Sequence, residues 1–300
     1  MALGYTKPLY LLAFDHRGSF ERDLFGASPP ISDNVRAAVA DAKEVIYDAF
    51  QEATARGVPH DAAGSLVDEQ YGATVARKAR SADYVLAMPV EKSGQAEFDF
   101  EYGAEFACHI DGFDPTFAKV LVRDNPDGDQ QLNRRQTERL ARLSAGLHER
   151  NRLFLFELLV PATPGQLQQV GGDQRRYHRE IRPRLVIGIV HAMQDAGVEP
   201  DIWKIEGLDS APACAEVVAA ARRGGRDQVS CIVLGRGADQ AQVIEWLRIA
   251  ASVPGFDGFA VGRTLWEQPL RDLITGTIGR SEAVDQIAAH YLKTVTTFVS

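Results

Sequence analysis

The stretch Leu9-Tyr10-Leu11-Leu12-Ala13-Phe14-Asp15-His16-Arg17-Gly18 decides the fold. Its first six residues form a continuous apolar run of strand length. A strand of this kind is covered on both faces, as in parallel sheets flanked by helices. The turn that follows carries no GxGxxG fingerprint, so the doubly wound dinucleotide-binding sheet becomes the weaker of the two parallel architectures.

Moving outward, similar runs recur at residues 65–67, 84–88, 118–122, 153–159, 202–205, 231–234 and 258–261, which gives eight candidate strands. Helical periodicity fills the gaps between them. Val35, Val39, Ala42, Val45, Ile46, Ala49 and Phe50 mark one apolar face; Leu140, Leu143 and Leu147 mark another, behind a capping-box-like Asn133…Gln136. Val243, Leu247 and Ala250 follow the seventh run. A final helix over about 281–299, with Ser281 as its N-cap, carries Val284, Ile287, Ala288, Tyr291, Leu292 and Val295. Eight strand–helix units in 300 residues point to a single closed (β/α)8 TIM barrel spanning 1–300. The segment 89–115 is the least regular and is expected to hold long loops and one short helix.

Composition narrows the function classes. The 33 Lys and Arg against 41 Asp and Glu give a net charge of −8 and a pI near 5.4. This argues against general nucleic-acid or membrane binding, which needs a basic face. Cys108, Cys214 and Cys231 form no CxxC pair, and the seven histidines form no HxH or HExxH, so neither disulfides nor a metal centre is expected. Nothing near the amino terminus reads as an export or membrane segment, which makes the cytoplasm the expected compartment.

In a barrel the chemistry gathers at the carboxyl ends of the strands. Those ends carry Asp15, His16 and Arg17; Asp68 and Glu69; Glu91 and Lys92; Lys119, Arg123 and Asp124; Glu157; Lys204 and Glu206; then Gly235-Arg236-Gly237 and Gly262-Arg263. Lys204 lies inside a short apolar strand, where an ammonium is costly unless used. Alternation puts Ile202, Lys204 and Glu206 on one face, toward the lumen, although pairing with Glu206 at a strand end would equally account for the lysine. Burial and a neighbouring cation would favour the neutral amine that a Schiff base requires. Lys119 raises the same question, and two lysines in one lumen would lower each other's pKa; an exposed strand start is the bland alternative. Glu157 interrupts an apolar strand as a proton shuttle of raised pKa or as a buried salt-bridge partner. Asp15 reads as an acid of the site or as a helix cap. His16, beside it, could contact a ligand or make a structural hydrogen bond. The two Gly-Arg loops follow strands seven and eight, where this fold often holds phosphate.

These strand ends resemble the class I tagatose-bisphosphate aldolase family of Schiff-base barrels, through Asp15 and Arg17, Lys119, Glu157, Lys204 with Glu206, and Gly262-Arg263. A longer likeness is to the aldolase-like domain fused behind 5-dehydro-2-deoxygluconokinase in bacterial inositol catabolism. It runs through Leu12-Ala13-Phe14-Asp15-His16-Arg17, Val67-Asp68-Glu69-Gln70-Tyr71-Gly72, Pro89-Val90-Glu91-Lys92-Ser93-Gly94 and Phe156-Glu157-Leu158-Leu159-Val160-Pro161-Ala162. It continues through Trp203-Lys204-Ile205-Glu206-Gly207-Leu208, Val233-Leu234-Gly235-Arg236-Gly237 and Gly258-Phe259-Ala260-Val261-Gly262-Arg263-Thr264.

The resemblance implies a lyase without cofactor, with Lys204 as imine lysine, Glu157 as proton shuttle, and Asp15 and Lys119 handling hydroxyls. Arg17, Gly235, Arg236, Gly262 and Arg263 would bind a phosphorylated small-molecule substrate. It also implies a functional link to a sugar kinase, and a homo-oligomer is compatible with it. Two departures stand out: the aldolases tend to carry Asp-Gln-Arg where this chain has Asp15-His16-Arg17, and a Ser/Ala/Gly-type loop where it has Arg236. Cleavage of 5-dehydro-2-deoxygluconate 6-phosphate is the leading expectation, with tagatose- or fructose-bisphosphate cleavage and a catalytically silent sugar-phosphate-binding barrel as alternatives.

Overall fold

The computed structural model describes residues 3–300. Its strands are β1 (Leu9–Ala13), β2 (Ala63–Leu66), β3 (Val85–Pro89), β4 (Phe117–Arg123), β5 (Leu153–Leu159), β6 (Ile202–Glu206), β7 (Ser230–Leu234) and β8 (Phe256–Val261). They close in sequence order into a barrel, and β1 pairs in parallel with both β2 and β8. All eight expected strands are present, and the TIM barrel is the fold of this chain.

The continuous apolar runs follow from two-sided burial. One set of side chains fills the lumen: Leu9, Leu11, Ala13, Leu66, Ala87, Phe117, Leu155, Ile202, Ile232 and Ala260 form their own buried cluster. The alternate set faces the surrounding helices and joins the larger core, in which Trp203 and Trp266 are fully buried. Each strand therefore has no wet face on which a polar residue would be free of cost.

The helix Asp33–Ala55 starts where Ser32 accepts from the backbone N–H of Val35, and it buries Val39, Ala42, Val45, Ile46, Ala49 and Phe50 as its periodicity predicts. The segment after β3 holds a 3₁₀ turn, Gly103–Glu105, and the short helix Phe106–Phe113. Two expected caps move. The helix Gln130–Glu149 is capped by Asp129, which accepts from Gln131 and Leu132, four residues before the expected Asn133. Asn133 and Gln136 instead turn inward to the carbonyls of Asn125 and Arg123. The terminal helix Arg280–Val299 begins at Gly279 and has no side-chain cap, so Ser281 lies inside its first turn.

Candidate active site

Strand alternation aims Lys119 and Arg123 of β4, Glu157 of β5 and Lys204 of β6 along the lumen, above the apolar plug. The register sets Glu157 opposite Lys204. At the carboxyl ends of the strands lies a cavity of about 440 Å³, lined by Asp15, Glu91, Lys119, Glu157, Lys204 and the rim arginines.

The floor of this cavity is an ion cluster. Lys119 Nζ lies 2.8 Å from Asp15 Oδ2, 2.8 Å from Glu91 Oε1 and 3.0 Å from Glu157 Oε2. Lys204 Nζ lies 2.9 Å from that same Glu157 oxygen. The two lysines are thus unlike. Burial pulls Lys119 toward the neutral amine, but Asp15, Glu157 and Glu91 outweigh it and raise its pKa well above the usual lysine range. This corrects the expectation of a lowered pKa for Lys119: it is held as an ammonium by three carboxylates, whereas Lys204 touches one. Burial likewise pushes Glu157 up, but the ammonium groups of Lys119 and Lys204 win and lower its pKa, contrary to the raised value expected for a shuttle. One of those two charges disappears when Lys204 becomes a neutral amine, and the carboxylate is then a stronger base. Asp15 is also lowered: burial opposes, and Lys119 leads the groups that overcome it. It is not a helix cap, since the N-cap of the helix Gly18–Phe25 is Arg17.

Gly235, Arg236, Gly262 and Arg263 line the opposite wall. Gly262 passes so close to the backbone oxygen of Ala13 that a Cβ would collide with it, which restricts this strand-to-helix junction to glycine. The helix Arg263–Ile274 starts there without a side-chain cap, and its first residues border the cavity. No carboxylate pairs with the Arg263 guanidinium among the described residues. Arg236 is held differently. It is a non-glycine residue at φ +53, and its side chain is fixed by Glu206 (Nε to Oε1, 2.7 Å) and by the His178 ring (2.9 Å). Glu206 is therefore not a partner of Lys204: it is buried beside Arg182, which donates to the carbonyls of Glu206 and Gly207, and it accepts from the Val160 N–H.

The remaining strand-end candidates separate. Arg17 borders the cavity, but its guanidinium donates to Glu101 (2.9 Å) and to the Glu91 carbonyl (2.6 Å). Lys92 pairs with Asp99. Arg123 donates to the Gln95 carbonyl and has no carboxylate partner among the described residues. His16 packs edge-on to Trp266, and burial first, with Arg263 and the lysines adding to it against Asp15, lowers its pKa to about 4. Its imidazole is neutral at pH 7. Asp68 and Glu69 do not enter the cavity: Asp68 caps the helix Glu69–Ser81, and Glu69 binds His109. Asp124 is buried against Gln136 and is raised to about 6.

Two groups escaped the sequence reading. Lys43 is fully buried and donates to the carbonyls of Phe14 and His16, on either side of Asp15, and to Asp68. Its signal was present, since position 43 falls inside the stripe made by Val39, Ala42, Ile46 and Phe50. Arg182, with His178, holds the Arg236 wall, and no sequence pattern marks either. The three cysteines are free, and among the described residues no group of three His, Cys, Asp or Glu is arranged to hold a metal. No described helix is long and apolar enough to cross a membrane.

A family model described as an uncharacterized protein conserved in bacteria, DUF2090, matches residues 4–300. The chain belongs to this family. As a DUF2090 member it has no match among curated proteins. Its barrel is similar to a solved Schiff-base-forming fructose-1,6-bisphosphate aldolase, studied through its reaction intermediates, with a TM-score of 0.52 over 91% of this chain and 94% of that one. At 15% identity the likeness is one of fold.

Proposed function

We propose that this DUF2090 barrel is a class I aldolase, a lyase that cleaves a phosphorylated keto sugar or keto acid through an imine on Lys204. The observation that carries the reading is the 2.9 Å contact between Lys204 and Glu157 on the floor of an open cavity, with Lys119 held charged beside them. Attack by the Lys204 amine on a ketone gives a carbinolamine, and loss of water gives the iminium. A hydroxyl β to that carbon then passes its proton to Glu157 or Asp15, the carbon–carbon bond breaks, and the iminium takes up the electron pair as an enamine. Lys119, an ammonium throughout, hydrogen-bonds substrate oxygens. Arg236, Arg263 and the backbone at Gly235 and Gly262 receive the phosphate.

The preferred substrate is 5-dehydro-2-deoxygluconate 6-phosphate, giving dihydroxyacetone phosphate and malonate semialdehyde, in functional association with a sugar kinase of inositol catabolism. The long sequence resemblance supports this choice. Arg123, which lies opposite the Gly-Arg wall and has no carboxylate partner among the described residues, suits the substrate's carboxylate better than the already engaged Arg17 and Lys92. The similar fructose-bisphosphate aldolase barrel favours a second reading, bisphosphate cleavage.

Borohydride reduction with dihydroxyacetone phosphate, followed by peptide mapping, is expected to label Lys204. Label on Lys119 would transfer the role, and no label would leave a binding barrel. Comparing kcat/KM for the keto acid phosphate with that for tagatose and fructose 1,6-bisphosphates separates the substrates; a bisphosphate preferred by roughly tenfold, about 1.4 kcal/mol, would remove the inositol assignment.

A further inference from the structure

We infer that Glu91 is the proton holder of the site, the carboxyl group that shares one proton with Lys204 through Glu157 and Lys119. The inference rests on the Schiff-base reading and extends it to a residue outside the imine chemistry itself.

Four groups form an unbroken relay. Lys204 Nζ is 2.9 Å from Glu157 Oε2, that oxygen is 3.0 Å from Lys119 Nζ, and Lys119 Nζ is 2.8 Å from Glu91 Oε1. Charge requires the relay to end on a carboxyl. Three acids, Asp15, Glu91 and Glu157, surround two ammonium groups. If Lys204 gave its proton to solvent, the buried cluster would be left with two uncompensated negative charges, a costly state in a desolvated site. The proton therefore stays inside.

Of the three acids, Glu91 is the one built to take it. Its side chain is 7% exposed, and its Oε2 is buried without a hydrogen-bond partner among the described residues. Arg17 donates to its backbone carbonyl while giving its other contact to Glu101, so the guanidinium does not bind the Glu91 carboxylate directly. The charged groups facing Glu91 are Asp15 and Arg17 from the loop after β1 and Lys119 from β4, with the Lys92–Asp99 pair on its own loop. Burial dominates these and raises Glu91, whereas Asp15 and Glu157 are both lowered.

The step balances in protons alone. Lys119 gives a proton to Glu91 and takes one back from Glu157, which receives it from Lys204. Lys204 is left as a free amine, Glu91 as a neutral acid, and Glu157 and Lys119 are unchanged. The amine then attacks the ketone, and the stored proton returns along the same path to the carbinolamine oxygen, which departs as water as the iminium forms. Storage and return are one cycle.

The test is Glu91→Gln, which keeps an acceptor for Lys119 but can hold no proton. Borohydride labelling at Lys204 with dihydroxyacetone phosphate near pH 7 is expected to slow by roughly tenfold, because the acid that returns a proton to the carbinolamine is lost. The midpoint of its pH dependence moves down, since one carboxylate fewer faces the ammonium groups, and ligand affinity is little changed. Glu91→Asp should restore most of the parent profile. A Glu91→Gln profile superimposable on the parent's, with Lys204 still labelled, would overturn the inference and leave Glu91 a packing group. Infrared titration of the ligand-free protein reads the same point without turnover. A protonated-carboxyl band at neutral pH that is missing from Glu91→Gln supports proton holding even if Lys204 never labels, in which case only the aldolase reading falls. A band unchanged by the substitution would overturn the inference.

Discussion

Two buried lysine sites, at opposite faces of the same strand ends, solve one electrostatic problem in two ways. Lys43, between the barrel and the helix Asp33–Ala55, has its ammonium surrounded by the Phe14 and His16 carbonyls and the Asp68 carboxylate, which in turn caps a helix. One charge meets one countercharge, and both side chains are fully buried. The lumen pair, Lys119 and Lys204, faces three carboxylates and opens onto about 440 Å³ of cavity. A buried lysine is therefore not in itself a sign of chemistry. What distinguishes the functional cluster is imbalance: an extra acid, a lysine with one partner beside a lysine with three, and room for a ligand.

The strongest way to break this comparison is to remove each lysine. Lys204→Met should abolish the borohydride adduct and lower turnover by at least roughly a thousandfold, the scale of losing a nucleophile with its proton transfers. The folded state should survive, since Glu157 keeps its contact with Lys119. Activity within about tenfold of the parent would end the Schiff-base reading.

Lys43→Met is the structural counterpart. It strands the Asp68 carboxylate and two carbonyl groups in a sealed space, and breaking such a buried pair costs about 3–5 kcal/mol. Adding Asp68→Asn should recover part of that loss. Urea unfolding measures both variants, and the surviving folded protein should still label at Lys204. A Lys43→Met protein as stable as the parent would show that this pair holds nothing in place.

The rim sharpens the comparison further. Arg263 has no carboxylate partner among the described residues, whereas Arg236 is already held by Glu206 and His178. Loss of a charge-assisted contact to phosphate costs about 1.5–3 kcal/mol, so Arg263→Ala or Arg236→Ala should raise KM by roughly ten- to a hundredfold. The substitutions differ in a second readout. Arg236→Ala also strips Glu206 of its nearest cation and should lower stability, while Arg263→Ala should not. Unchanged KM in both variants would remove the clamp.

How much of this was legible in sequence follows from the physics of each position. The eight strands were legible because a strand buried on both faces needs an unbroken apolar run, and polar residues interrupting such runs, Lys204 and Glu157, stand out against it. The caps of the two long helices were less so: Asp129 and Asn133 offer the same side-chain chemistry one turn apart, and only packing decides between them. The sense of each pKa shift was not legible. For Glu157 the sequence places a cation beside the carboxylate but does not show that two lysines, from neighbouring strands on either side, together outweigh burial and reverse the sign expected of a shuttle. Lys43 could have been found, because a charged residue inside a helix's apolar stripe needs a buried partner. The Arg236–Glu206–His178–Arg182 group joins three separate segments, so no spacing rule reveals it.

The smallest expected effect concerns pH and stability. His16 has a folded pKa of about 4 against an ordinary 6.5, and burial leads the same shift to about 4 at His178. Between these values the unfolded chain binds more protons than the folded one, so stability falls as pH drops from 6.5 toward 4. Asp124 acts in the opposite direction. Its folded pKa is about 6 against an ordinary 3.8, so the folded chain binds more protons in that window and gains stability as the pH falls. Glu91, Asp201 and Asp257, also raised by burial, act with Asp124. They are outnumbered by the two imidazoles together with the carboxylates held below their usual range, among them Asp15 and Glu157 in the lumen and Glu97, Asp99, Asp114, Asp129 and Glu180 on the surface. Partial exposure of the His16 ring reduces its share to about 1–2 kcal/mol. Urea unfolding at about pH 7 and about pH 4.5 should therefore show a loss for the parent, a shallower loss for His16→Gln and a steeper one for Asp124→Asn. A His16→Gln protein that follows the parent's pH dependence would mean that the imidazole beside Asp15 takes up its proton in the folded state. That would add a third cation to the cluster of Lys119 and Lys204, and the contrast between its unbalanced charges and the closed Lys43 pair would disappear.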